Sequence, residues 1–156
     1  MIKNPILNFP KISTLLLYLF AFSFAQAQQI FSTNRYPITD FRQPLDIAPP
    51  ALAGSFGEIR GNHFHSGIDF RTNQREGYPV YAVADGYVSR LRVQNSGFGQ
   101  AVYLNHPNGF TTVYGHVQRF SPKIAAVVKN LEYEKKTFEI DEFPEATLIP
   151  VRKGEI

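Results

Sequence analysis

Two glycine-containing dipeptides constrain this chain more than any other feature. Asp85-Gly86 and Asn108-Gly109 are strong two-residue hairpin signals between short apolar runs. Pro79 to Ala84 precedes the first. After it, Tyr87 to Val93 alternates, placing Tyr87, Ser89, Leu91 and Val93 on one face and Val88, Arg90 and Arg92 on the other. Asn95 to Gly99 reads as a loop and Ala101 to Asn105 as a further strand. Phe110 to Val117 reads as the return strand, with Phe110, Thr112, Tyr114 and His116 sharing a face. This pattern predicts a mainly β fold built on an antiparallel meander. The 11 glycines and 11 prolines suit a turn-rich architecture. One helix is expected near 122–134. Ser121 takes the N-cap, Pro122 the first helical position, and Ile124, Val127, Val128 and Leu131 fall at i, i+3, i+4 and i+7. Lys135 to Asp141 is charged and alternating, which predicts an exposed strand.

The N-terminus reads as a signal peptide over residues 1–27. Lys3 and Lys11 form a positive start, Thr14 to Ala25 is an apolar run, and Ala25-Gln26-Ala27 has the small-x-small form of a cleavage site. The run is shorter than the roughly 20 residues of a spanning helix, so no transmembrane segment is expected in the mature chain. Residues 28–50 form an extended lead-in, where Pro37, Pro44, Pro49 and Pro50 oppose helix and central strand. Residues 51–156 form the expected domain. Removing the two lysines of the leader lowers the net charge from +3 to +1. The remaining charges are interspersed, so nucleic acid and anionic membrane surfaces are not expected partners. The absence of cysteine in an exported chain leaves packing or a bound metal, and not disulfides, to supply stability.

The chemistry gathers around histidines. His65 and Asp69 form an HxxxD spacing, and an imidazole nitrogen with a carboxylate oxygen is a ligand set that zinc accepts. The flanking glycines favour a loop over a helix for this segment. His63 projects to the same side as His65 in an extended chain. It could serve as a third ligand, as a group orienting His65, as a substrate contact, or as a solvated loop residue. His116, near the end of the return strand beside Gly115, suits a general base or oxyanion stabiliser. His106, next to Pro107 in a turn, reads as structural. No nucleophile elbow, glycine-rich phosphate loop or HExxH is present.

Several of these segments, taken in order, resemble a known family. They are Gly54-Ser55-Phe56-Gly57, His63-Phe64-His65-Ser66-Gly67-Ile68-Asp69, the run Gly77 to Val88, Gly97-Phe98-Gly99, His106-Pro107-Asn108-Gly109 and Tyr114-Gly115-His116-Val117. Together they look like the lysostaphin-type, LytM-like zinc metallopeptidases over roughly residues 51–156. The resemblance implies an antiparallel β-sheet or sandwich with a groove between sheets. It implies zinc bound by His65 and Asp69, and His116 as the catalytic histidine. The family's further ligand is the second histidine of a late HxH within Gly-Pro-His-Leu-His-Phe, which has no counterpart here. The segment Val151 to Ile156 resembles the stretch shortly before it, so the domain is expected to be incomplete at its C-terminus. The implied function is a zinc metalloendopeptidase cleaving stem or cross-bridge peptides of bacterial peptidoglycan. The alternative is a non-catalytic LytM-like module that binds the wall or regulates another hydrolase.

The leader generates a direct expectation. N-terminal sequencing of the exported protein should begin at Gln28, and a mature chain that still carries Lys3 would contradict the signal-peptide reading.

Overall fold

One eight-residue strand organises the sheet. In the computed structural model, which describes residues 39–156, strand β3 spans Gly86–Val93. The expected signal peptide 1–27, and the lead-in up to residue 38, lie outside the described residues. Strands β1 (Leu52–Gly54) and β2 (Asp69–Phe70) pair antiparallel as a small separate sheet. The main sheet comprises β3, β4 (Gln100–Asn105), β5 (Thr111–Tyr114), β6 (Ile140–Glu142) and β7 (Pro150–Val151). Its order is β5-β4-β3-β6, all neighbours antiparallel, and β7 also pairs with β3. Helix α1 (Pro122–Lys135) is the single helix among the described residues. The expected mainly β, antiparallel fold with one helix near 122–134 is what the structure has.

The strict alternation expected for β3 is broken. Val88 pairs with Leu104 but Arg90 pairs with Tyr103, so Ser89 is an extra residue on β3. Such a β-bulge re-aims the side chains that follow it. Val88 and Leu91, three positions apart, therefore both point into the core and are 0% exposed. They pack with Val102, Leu104, Val128, Ile140 and Ile149. Helix α1 lays Ile124, Val127, Val128 and Leu131 against this cluster, the face its spacing predicts. Ser121 occupies the N-cap position, but its hydroxyl makes no capping bond, and its carbonyl accepts the first helical hydrogen bond from the Ala125 N–H at 2.8 Å.

Three further expectations need correction. Pro79 to Ala84 forms no strand. The N–H of Tyr81 donates to Pro44 O, that of Ala82 to Glu155 O, and that of Val83 to the Tyr114 hydroxyl, so no single neighbour supplies a ladder. Asp85-Gly86 consequently closes no hairpin, and neither residue takes the positive φ that a type I′ turn requires. Gly86 serves close approach instead, since a Cβ there would lie 2.2 Å from Asn105 O. Finally, Lys135 belongs to α1, which ends with Lys136 in the left-handed region at φ 53°, and the strand that follows begins only at Ile140. Asn108-Gly109 does turn the β4–β5 hairpin, with Gly109 at φ 84°.

On the outer face of the sheet, Arg90 grips Asp141 with two hydrogen bonds of 2.7 Å and stacks between the rings of Tyr103 and Phe143. That fork holds the Asp141 carboxyl below the usual carboxylate range, against the opposing effect of desolvation.

Two measurements test this packing. Leu91→Ala should cost about 2–5 kcal/mol in urea unfolding. Val113→Ala, at an exposed position of β5, should change stability by less than about 0.5 kcal/mol. A carboxyl whose pKa is depressed by folding stabilises the protein above its unfolded pKa, and that contribution is lost as pH falls through the folded value. The urea midpoints of wild type and Asp141→Asn should therefore differ at neutral pH and converge once pH drops well below about 4. A gap that persists in acid would show that Asp141 acts through packing and not through its charge.

Candidate metal centre

The segment 52–70 folds back on itself twice to bring His65 beside Asp69. Gly57 N–H donates to His65 O at 2.8 Å, and His65 N–H donates to Glu58 O at 2.8 Å. Between them a tight hairpin is closed by the Ile59–Phe64 bridge and by Arg60 N–H donating to His63 O at 2.9 Å. The chain then enters β2, where Asp69 lies opposite Gly54 of β1. Both residues sit on loop and strand-end backbone, as the local glycines predict.

Each of the two side chains has one polar atom tied down and one left over. The Nδ1 of His65 lies 2.9 Å from Ser55 O. A carbonyl only accepts, so Nδ1 carries the proton and the lone pair of the neutral ring sits on Nε2. Asp69 has its Oδ2 2.5 Å from Arg60 Nη2. The free atoms, His65 Nε2 and Asp69 Oδ1, stand 3.3 Å apart. Two donors each about 2.1 Å from one tetrahedral zinc are separated by about 3.4 Å. The pair therefore fits a shared ion. The Arg60 hydrogen bond is the main reason that the Asp69 carboxyl is held below the usual range; desolvation opposes it, and the positive charge of Arg60 assists. No group of three or more His, Cys, Asp or Glu side chains able to hold a metal gathers among the described residues.

The other histidines divide clearly. His63 is exposed on the hairpin turn with Nδ1 2.6 Å from Asn62 Oδ1. His106 is 6% exposed, with Nδ1 2.8 Å from Asp85 O and Nε2 2.8 Å from the Thr112 hydroxyl. Both of its nitrogens are consumed within the fold, as its turn position suggests. His116 lies beyond β5, which ends at Tyr114, so it does not share a strand face with Thr112 as expected. It adopts φ 57°, a left-handed conformation uncommon for a residue with a Cβ. Its N–H donates to Phe98 O at 2.9 Å, its ring packs edge-on to Phe98 at 6.0 Å, and Gly115 makes room for that ring, since a Cβ there would lie 2.8 Å from it. The imidazole is left exposed.

A groove of about 860 Å³ opens beside His116. Tyr78, Tyr114, Gln118 and Arg119 are among its walls, and core residues Val102, Leu104 and Ile149 contribute to its lining. The phenol of Tyr114 is held in place, accepting from Val83 N–H at 2.9 Å and sharing a 3.2 Å hydrogen bond with Thr112. Its pKa is pushed up by burial. Arg60 was not singled out from the sequence as part of a site, and Gly54 entered only as the first residue of the Gly54-Ser55-Phe56-Gly57 segment. Arg60 lies nine positions before Asp69, and nothing in its spacing marks it as a partner.

Comparison with known proteins converges on the same segment. Residues 63–132 match Peptidase family M23. An uncharacterized metalloprotease of Haemophilus influenzae is 40% identical over 68 residues, 44% of this chain and 14% of that protein. The DD-carboxypeptidase/endopeptidase Mpg of Neisseria meningitidis serogroup B is 42% identical over 57 residues, 36% of this chain and 13% of that protein. The chain thus spans only a small part of the length of these relatives. No solved structure matches it significantly. The matched stretch holds His65, Asp69 and His116 together with strands β2 to β5, and over residues 63–132 this chain is similar to Peptidase family M23.

Proposed function

We propose that this chain is part of a zinc-dependent endopeptidase that cleaves peptide cross-links of bacterial peptidoglycan, with His65 and Asp69 as metal ligands and His116 as the catalytic histidine. The observation that carries this reading is the 3.3 Å approach of His65 Nε2 to Asp69 Oδ1, with the second polar atom of each side chain engaged elsewhere. Zinc, when bound, supplies Lewis-acid polarisation of the scissile carbonyl and a nucleophilic water at neutral pH. Ser55 O and Arg60 keep the two donors aimed. The exposed imidazole of His116 can donate a ring N–H to a developing oxyanion or carry a proton during the attack. The groove beside it offers aromatic and polar walls to an extended peptide. The name of the Neisseria relative, a DD-carboxypeptidase/endopeptidase, agrees with such a substrate. Export through the leader would deliver the protein to the cell envelope, where that substrate is.

One observation favours a second reading for these residues by themselves. Two ligand-type side chains converge, where catalytic zinc is normally held by three. A non-catalytic module that binds the wall or regulates a hydrolase needs no complete metal site.

Digestion of purified peptidoglycan separates the two readings. Residues 28–156 should release no peptide, and the same residues extended by a tail carrying HxH should release peptides only with zinc. Asp69→Ala or His116→Ala in the extended form should lower the rate by about 100-fold or more. Robust zinc-dependent digestion by residues 28–156 alone would mean that His63 or another group completes the site, overturning the ligand assignment. Wall binding without digestion by either form would favour the second reading.

A further inference from the structure

We propose that Arg60 is the positioning residue of the metal pair, and that Gly54 is the residue that admits it. This rests on the reading of His65 and Asp69 as ligands. A free aspartate can turn about χ1 and χ2 and offers two equivalent oxygens. Here Arg60 Nη2 takes up Oδ2 at 2.5 Å, leaving Oδ1 as the single donor beside His65 Nε2. Arg60 is itself steadied. Its Nε lies 3.9 Å from Glu58 Oε1, and Glu58 Oε2 accepts the Ser55 N–H at 3.1 Å. Ser55 is also the residue whose carbonyl fixes His65. One short turn, residues 55–60, therefore orients both ligands, the histidine through a backbone oxygen and the aspartate through a guanidinium. Gly54 makes the arrangement possible. A Cβ at that position would stand 2.6 Å from Arg60 Nη2 and 2.6 Å from Asp69 Oδ2, inside the space the pair occupies.

The proposal has a signature that electrostatics alone does not share. Arg60 carries a positive charge close to a cation site. If its charge were all that mattered, removing it would strengthen binding of a divalent cation. If it positions Asp69, removing it weakens binding, by the 10–100-fold typical of groups that orient metal ligands. The test is competition for Zn²⁺ between the full chain and a chromophoric chelator. Arg60→Ala and Gly54→Ala should each lower zinc affinity by about 10–100-fold, and Arg60→Lys, which keeps the charge and one donor, should recover part of the loss. Unchanged or tighter binding in Arg60→Ala would overturn the proposal. His65→Ala and Asp69→Ala are measured alongside. If they leave zinc affinity untouched, the ligand reading itself fails. If they abolish binding while Arg60→Ala does not weaken it, only the positioning role fails. A second readout needs no metal. In metal-free protein the three-bond couplings of the Asp69 side chain should report a single χ1 rotamer and should average in Arg60→Ala, with the thermal unfolding transition still cooperative. Couplings that stay at their wild-type values would overturn the proposal whatever the zinc measurement gives.

Discussion

The two-against-one pairing of Ser89 and Arg90 with Tyr103 decides which side chains β3 can bury. A regular strand would turn Val88 and Leu91 to opposite faces. The extra residue turns both inward, where they meet the helix, β6 and the segment carrying Ile149. The same shift leaves Arg90 on the outer face, free to pair with Asp141 and to pass between two aromatic rings. The placement of His116 hangs from that strand, while His65 and Asp69 are held by the separate β1–β2 sheet and its turn. β4 aligns on β3, β5 aligns on β4, and the backbone leaving β5 delivers Gly115 and His116 beside Phe98.

A comparison of two histidines separates a structural group from a candidate ligand. His106 is enclosed, with one nitrogen on a backbone carbonyl and the other on a hydroxyl, so it ties the β4–β5 turn to Asp85 and has nothing left to offer. His65 spends one nitrogen on Ser55 O and keeps the other, and Asp69 does likewise with its oxygens. Half-satisfied polar groups side by side carry an energetic penalty when water is withdrawn from them, and a bound cation relieves it. What distinguishes His65 and Asp69 from His106 is that each keeps one polar atom its own fold leaves unspent.

Much of this was legible in the sequence. The periodicity over Ile124–Leu131 identified the helix and its buried face, and Asn108-Gly109 identified a hairpin, because each signal is local and few neighbours can override it. Asp85-Gly86 misled for a physical reason. Glycine is needed there because Asn105 O passes within a methyl's reach, and a dipeptide motif cannot distinguish close approach from a turn. The bulge at Ser89 was invisible, since an inserted residue in a strand leaves the composition unchanged. At the site, the HxxxD spacing brought forward His65 and Asp69, whose free atoms do converge. The hold of Arg60 on Asp69 depends on two strands and a turn closing together, information that resides in no single stretch of chain.

The unequal sharing of β3 also bears on how this fold assembles. One edge is filled by β4, the next strand in sequence, through a short loop. The other is divided between β6 and β7, which arrive only after the helix. Arg90 and Asp141 are 51 positions apart, and the Asp85 carboxylate that accepts the Lys153 N–H is 68 positions from it. Loop-closure entropy must be met before such distant contacts return any stabilisation. A β3–β4–β5 meander can form early from local contacts, while one long edge of its central strand stays unpaired until residues 140–151 dock. During that interval Leu91 and Val88 lack Ile140 and Ile149 as cover. The β3 edge is therefore an exposure to misassociation that folding itself removes, and the rate at which residues 140–151 reach it sets how long that exposure lasts.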